Sequence, residues 1–180
     1  MKTRALGGAV MVAFLVAVGC IDGYAQGRRA AGDAPSGVTS TLPDGAHDFD
    51  FTIGKWNIQQ VGGGTATDTI KSFGSGIAIT EKMRAPGFAG NTVTVFDATT
   101  GLWTQTYLDN QGLYTQQTGG RDGDNIVLVG PLIDANGNRR LSRLRYINIT
   151  NRSFDQVGEE STDDGDTWTE TFRLQFRKAN

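Results

Sequence analysis

Trp103, Gln105 and Tyr107 alternate along the chain with Leu102, Thr104, Thr106 and Leu108. In an extended segment, successive side chains point to opposite faces, so two aromatic rings and an amide share one face. Such a face can hold a small molecule: the rings offer apolar contact area, and the amide both donates and accepts hydrogen bonds. Glu170 is the second place where chemistry could reside, because its parity matches Trp168, Phe172 and Leu174 and predicts an inward carboxyl. A carboxylate removed from water is costly without a partner, so an inward Glu170 either meets a polar side chain or orients a ligand. The alternative is a wet position at the rim. Tyr114 and Tyr146 join these residues, and the expected ligand-contacting set is Trp103, Gln105, Tyr107, Tyr114, Tyr146 and Glu170.

Other chemistries find little support. Cys20 and His47 are the sole cysteine and histidine, so no disulfide within this chain, cysteine cluster or multi-histidine metal centre can form. His47 is expected at the surface or in a cap. Glu159 and Glu160 are adjacent and face opposite sides of a strand, so they make no acid–base pair. The acidic turns at 119–124 and 134–138 lack calcium-loop spacing, and Gly62-Gly63-Gly64 lacks the Lys and Ser/Thr of a phosphate loop. The segment Ser161-Thr162-Asp163-Asp164-Gly165-Asp166-Thr167-Trp168 matches the turn repeated in sialidase-type propellers, but it occurs once here. It is expected to be a hairpin turn, with Asp163 accepting turn amides. No catalytic residue, metal site or cofactor is expected.

These residues need an all-β frame to position them. From Asp48 onward, strand-like runs alternate with turn signals about every ten residues, and no segment has helical periodicity. Ten strands are expected near 51–61, 65–73, 76–84, 91–97, 102–108, 113–118, 125–129, 139–148, 153–161 and 167–177. Gly, Asn and Asp between them suit tight hairpins. Sequential hairpins without a crossover helix imply a single antiparallel meander, and closing it into a β-barrel removes exposed edges. A Greek-key sandwich is the architectural alternative. Arg139, Arg143 and Arg145 share one parity and are expected as an outer stripe, with Leu144 and Tyr146 inward.

The N-terminal part reads as an export signal. Lys2 and Arg4 precede a run of Ala, Leu, Gly, Val, Met and Phe from Ala5 to Gly19, which is shorter than the ~20 residues that span a bilayer. Cleavage after Ala25 is expected; the alternative is lipidation of Cys20 at the imperfect lipobox Ala17-Val18-Gly19-Cys20. Residues 1–25 are thus expected to be a signal peptide, 26–46 a flexible linker and 47–180 the barrel domain, in a periplasmic, secreted or lipid-anchored protein. Loss of 1–25 would leave 15 basic and 18 acidic side chains, a net charge of −3. That balance argues against nucleic acid or an anionic membrane surface as partner.

The stretch His47-Asp48-Phe49-Asp50-Phe51-Thr52-Ile53-Gly54-Lys55-Trp56 resembles the entrance to the first strand of lipocalins and their calycin relatives, through Phe49, Asp50, Gly54 and Trp56. Gly54 allows a tight bend there, and Trp56 can plug a closed barrel end. The resemblance implies a basic side chain across that tryptophan, with Arg173 or Arg177 the candidates. The whole domain is similar to a family of exported bacterial lipocalin-like proteins of unknown function, through Asp48-Phe49-Asp50-Phe51, Gly54-Lys55-Trp56 and the turn at 161–168. It implies fold and export, and no activity. The functional expectation is a module binding a small hydrophobic or amphipathic molecule in the barrel. The alternatives are an envelope-associated structural protein with a filled core, and a cofactor-free isomerase or cyclase using Glu170 and a tyrosine.

Overall fold

The computed structural model describes residues 42–133 and 137–180. The expected signal peptide, the Cys20 anchor and most of the expected linker lie outside the described residues. Leu42 to Ala46, assigned to the linker from sequence, form a turn of the barrel's base, and Ala46 is fully buried there.

Ten strands make up the fold: β1 (Gly54–Gln60), β2 (Thr65–Phe73), β3 (Ala78–Ala85), β4 (Phe88–Asp97), β5 (Leu102–Asp109), β6 (Tyr114–Asp122), β7 (Asn125–Ile133), β8 (Arg139–Ile147), β9 (Ser153–Ser161) and β10 (Thr169–Lys178). Each pairs antiparallel with its neighbour in sequence, and β1 pairs with β10, so the meander closes into a barrel. The alternation read from sequence therefore becomes an inside and an outside. The sole helical pieces among the described residues are single 3-10 turns at Asp50–Thr52 and Gly74–Gly76, and none of these is long and apolar enough to cross a membrane.

One end of the barrel is packed solid. The segment 42–53 crosses beneath it and inserts Phe49, whose ring lies 4.9 Å from Trp103 and 5.2 Å from Tyr146. Trp56 packs edge-on against Phe154 at 4.9 Å, and Phe154 stacks on Phe176 at 4.3 Å. Both indoles keep their N–H satisfied, Trp56 donating to Thr52 O at 2.6 Å and Trp103 to Gly45 O at 2.8 Å. Buried aromatics of this kind contribute ~1.5–3 kcal/mol each and prefer tilted or edge-on geometry. The cation over Trp56 is Lys178, not Arg173 or Arg177: its Nζ sits 4.5 Å above the ring and donates to Ile53 O at 2.7 Å. Arg173 instead binds Glu170, and Arg177 lies beside Asp155 on the outer face. Gly54 (φ +146°) lies directly under the Lys178 stem, so a side chain here would displace that cation.

Barrel curvature depends on close backbone approach at two further glycines, Gly119 in β6 and Gly130 in β7. Gly130 in β7 lies so near β6 that a Cβ would overlap the Gln116 carbonyl oxygen, which is backbone and cannot swing aside. Gly120, in β6, has open space around its Cβ position. Gly130→Ala is expected to destabilise by about 1–3 kcal/mol, whereas Gly120→Ala should be neutral or slightly stabilising, within ~1 kcal/mol. Urea denaturation followed by circular dichroism measures both. Equal midpoints for the two variants would show that the β6–β7 approach is not constrained.

Candidate functional site

Above the plug the barrel is hollow. A cavity of about 660 Å³ opens at the end carrying the β1–β2, β3–β4, β5–β6, β7–β8 and β9–β10 turns, a volume within the usual range for small-molecule sites, ~300–1,000 Å³. Ile58, Met83, Leu144 and Leu174 line its walls, and Phe88, Leu113, Leu132 and Phe172 its upper part.

The inner residues follow the barrel's register. Ile70, Glu81, Thr92, Tyr107 and Thr115 lie opposite one another across β2 to β6. Thr94, Gln105 and Gln117 form a second row. Tyr146 and Gln156 form a third across β8 and β9. The floor between plug and cavity is a hydrogen-bonded layer built from these rows. Gln105 Nε2 donates to Tyr146 Oη at 2.7 Å and to Thr94 Oγ1 at 3.2 Å. Gln156 Nε2 donates to the same Tyr146 Oη at 3.1 Å, and Gln117 Nε2 donates to Ser142 Oγ at 2.9 Å. Burial, then the Glu81 charge, pushes the Tyr146 hydroxyl up, so it stays protonated.

Beside this layer two carboxyls face the lumen. Asp68 is 2% exposed and Glu81 9%. Asp68 Oδ1 accepts the Lys82 amide at 3.2 Å, while the enclosed Oδ2 has no well-formed hydrogen bond. Burial drives the Glu81 pKa well above the ordinary range, and the adjacent Asp68 carboxylate pushes it further. Asp68 is also raised by burial, partly offset by hydrogen bonding to Glu81 and to backbone amides. Two close carboxyls in a poorly hydrated site cannot both ionise cheaply, so the pair holds a proton to higher pH than an ordinary carboxylate.

The sequence-derived candidates divide. Gln105 and Tyr107 line the cavity, and the Tyr107 hydroxyl donates to Asp109 Oδ2 at 3.1 Å near the mouth. Tyr146 lies in the floor layer below. Trp103 is inward but wholly buried in the plug, touching Phe49 and Phe96, because its register places it closer to the closed end than Gln105. Tyr114 is 60% exposed, being outward at the first position of β6. Glu170 is outward too, and Arg173 donates to it at 2.7 Å and 3.1 Å. The parity argument for Glu170 fails at a bulge between Glu170 and Phe172, where Thr171 is left unpaired and both Thr171 and Phe172 reach the cavity.

The remaining motifs are structural. The hydrogen bond donated by Ser161 Oγ to Asp163 Oδ1 at 2.6 Å, then those from the Thr167 hydroxyl and the Thr167 amide at 2.9 Å, hold the Asp163 carboxyl down to about 2. Arg143 stacks on Trp168 at 4.1 Å and with Arg145 clamps Glu159 on the outer face, at 2.6 Å and 3.4 Å. Glu160 faces the cavity instead. His47 is exposed and 2.9 Å from Asp50. Among the described residues no group of three or more His, Cys, Asp or Glu is arranged to hold a metal ion.

Sequence reasoning missed Asp68 and Glu81. Their signal was present: Ala66, Asp68 and Ile70 share a parity, as do Ile79, Glu81 and Met83. A lone acidic residue within an apolar half-strand points inward just as Glu170 was expected to. No protein-family model matches this chain, and no curated protein is similar to it.

Proposed function

We propose that this chain is an exported, lipocalin-like binding module that holds a small, partly apolar molecule in its barrel, in the periplasm or anchored at the envelope. The observation that supports this most directly is the cavity of about 660 Å³, open at one end and closed by an aromatic plug at the other. Apolar upper walls over a few convergent polar groups are the usual composition of a ligand pocket. The plug gives the pocket a rigid floor, so binding need not order the protein first.

A neutral fluorescent probe tests this. N-phenyl-1-naphthylamine, uncharged at pH 7, should brighten on binding and titrate to one site per chain. Ala66→Phe, which fills the lumen beside Ile58, should weaken that binding by about tenfold or more, the equivalent of ~1.4 kcal/mol. Absence of saturable brightening with the folded wild-type protein would overturn the proposal.

A second reading, a proton-transferring isomerase, is favoured by one observation: the paired carboxyls Asp68 and Glu81, with Glu81 at the cavity wall and its pKa raised by burial and by Asp68. A carboxylic acid kept neutral in a pocket can serve as a general acid. In this reading Glu81 takes the part that sequence parity assigned to Glu170.

A further inference from the structure

Resting on the binding reading above, we infer that the cavity is selective for amphipathic amines, taking the ammonium head at the Asp68–Glu81 pair beside the glutamine layer and the apolar body along Ile58, Met83 and Leu174. Three features carry this. The first is an enclosed acceptor: Asp68 Oδ2 meets no donor other than the neighbouring Glu81 carboxyl, and its residue is 2% exposed. Native proteins leave few such atoms, and one beside a cavity marks a place where a ligand's donor completes the set.

The second feature is the orientation of the glutamines. Gln105 uses both side-chain N–H donors, on Thr94 and Tyr146, while Gln117 and Gln156 each use one, on Ser142 and Tyr146. No described donor reaches their Oε1 atoms, so the polar surface offered to a ligand is rich in acceptors. An ammonium brings three donors and no acceptor, which matches it; a carboxylate brings acceptors alone and would meet repulsion. The third feature is charge. Glu81 and Asp109 line the cavity, as does Glu160, which Arg140 pairs at 2.9 Å, and the single basic side chain among the lining residues, Arg143, is committed to Glu159 and Trp168 outside. Dehydration of the carboxyl pair has already occurred on folding, so an entering cation gains its attraction while losing only its own hydration.

Octylamine, octanol and octanoate share one apolar chain and differ in the head, so they separate this inference from the binding reading. Each is titrated at pH 7 against wild-type protein loaded with N-phenyl-1-naphthylamine. Octylamine is expected to displace the probe at a concentration lower than octanol by about tenfold or more, as for a hydrogen-bonded charge against a neutral group; octanoate should be the weakest. In Glu81→Gln, and independently in Asp68→Asn, the octylamine-to-octanol ratio should fall toward one. Octanol equalling octylamine in a wild-type protein that does bind the probe would overturn amine selectivity and leave the binding reading intact. Failure of the probe itself to bind would overturn the binding reading. Amine selectivity that persists in both variants would place the cation elsewhere and overturn the assignment to this pair.

Discussion

Replacement of Trp56 by alanine should cost about 3–5 kcal/mol of stability. The indole is 1% exposed and holds three kinds of contact at once: edge-on packing against Phe154 and Phe176, the Lys178 ammonium over its face, and the hydrogen bond to Thr52 O. Truncation opens a large void beneath the barrel and leaves the Thr52 carbonyl without this donor. The neighbours cannot collapse into the void, because Phe154 is held by Phe51 at 5.2 Å and by the stacked Phe176. Trp56→Phe keeps much of the volume and loses the N–H donor, so a smaller loss of about 1–2 kcal/mol is expected. Trp168→Ala, at the half-buried outer indole beneath Arg143, should cost about 1 kcal/mol. Guanidinium denaturation followed by circular dichroism orders the three. A Trp56→Ala protein as stable as Trp168→Ala would show that the plug does not hold the closed end together.

Glu81→Gln should remove most of the pH dependence of stability contributed by the cavity. Burial and the Asp68 carboxylate raise the folded-state pKa of Glu81 well above its ordinary 4.5. The folded protein therefore holds a proton that the unfolded chain releases, and stability from this group is complete below pH 4.5. It is lost progressively as pH rises through the folded-state value. Asp68, raised from its ordinary 3.8 by burial, acts in the same direction. The glutamine variant carries no such proton. Its stability relative to wild type should be near zero at pH 4 and grow toward pH 8, by ~1.4 kcal/mol for each unit by which the glutamate is raised. Thermal unfolding at several pH values measures this difference. Parallel profiles for the two proteins would show that Glu81 titrates as if in water, and that the lumen is well hydrated around it.

The same carboxyl pair links stability to binding. An isolated pair of buried acids weakens the fold at neutral pH, whereas a cation seated on it removes that penalty. Glu81→Gln should therefore be more stable than wild type and less selective, a combination common where a site is built at the expense of the fold. A merely structural carboxyl would show the reverse, with stability falling on substitution.

Sequence alone determined the ten strands, their order and the antiparallel meander, because each strand is a local alternation and each hairpin a local turn signal. The Trp56 plug and the hairpin at 161–168 were legible for the same reason: their partners lie within a few residues, as with Trp56 and Thr52 or Asp163 and Thr167. Tertiary structure decided what lies across the barrel. Asp68 meets Glu81 through the register of β2 on β3, Lys178 rather than an arginine reaches Trp56 through the pairing of β1 with β10, and one unpaired residue at Thr171 turns Glu170 outward. Parity propagates along a strand only until a bulge resets it, and how far an inward side chain lies from the closed end depends on the stagger between strands. That stagger is a property of the closed sheet as a whole. It is why Trp103 became plug, Gln105 floor and Tyr107 cavity wall, although the three are equivalent in the sequence.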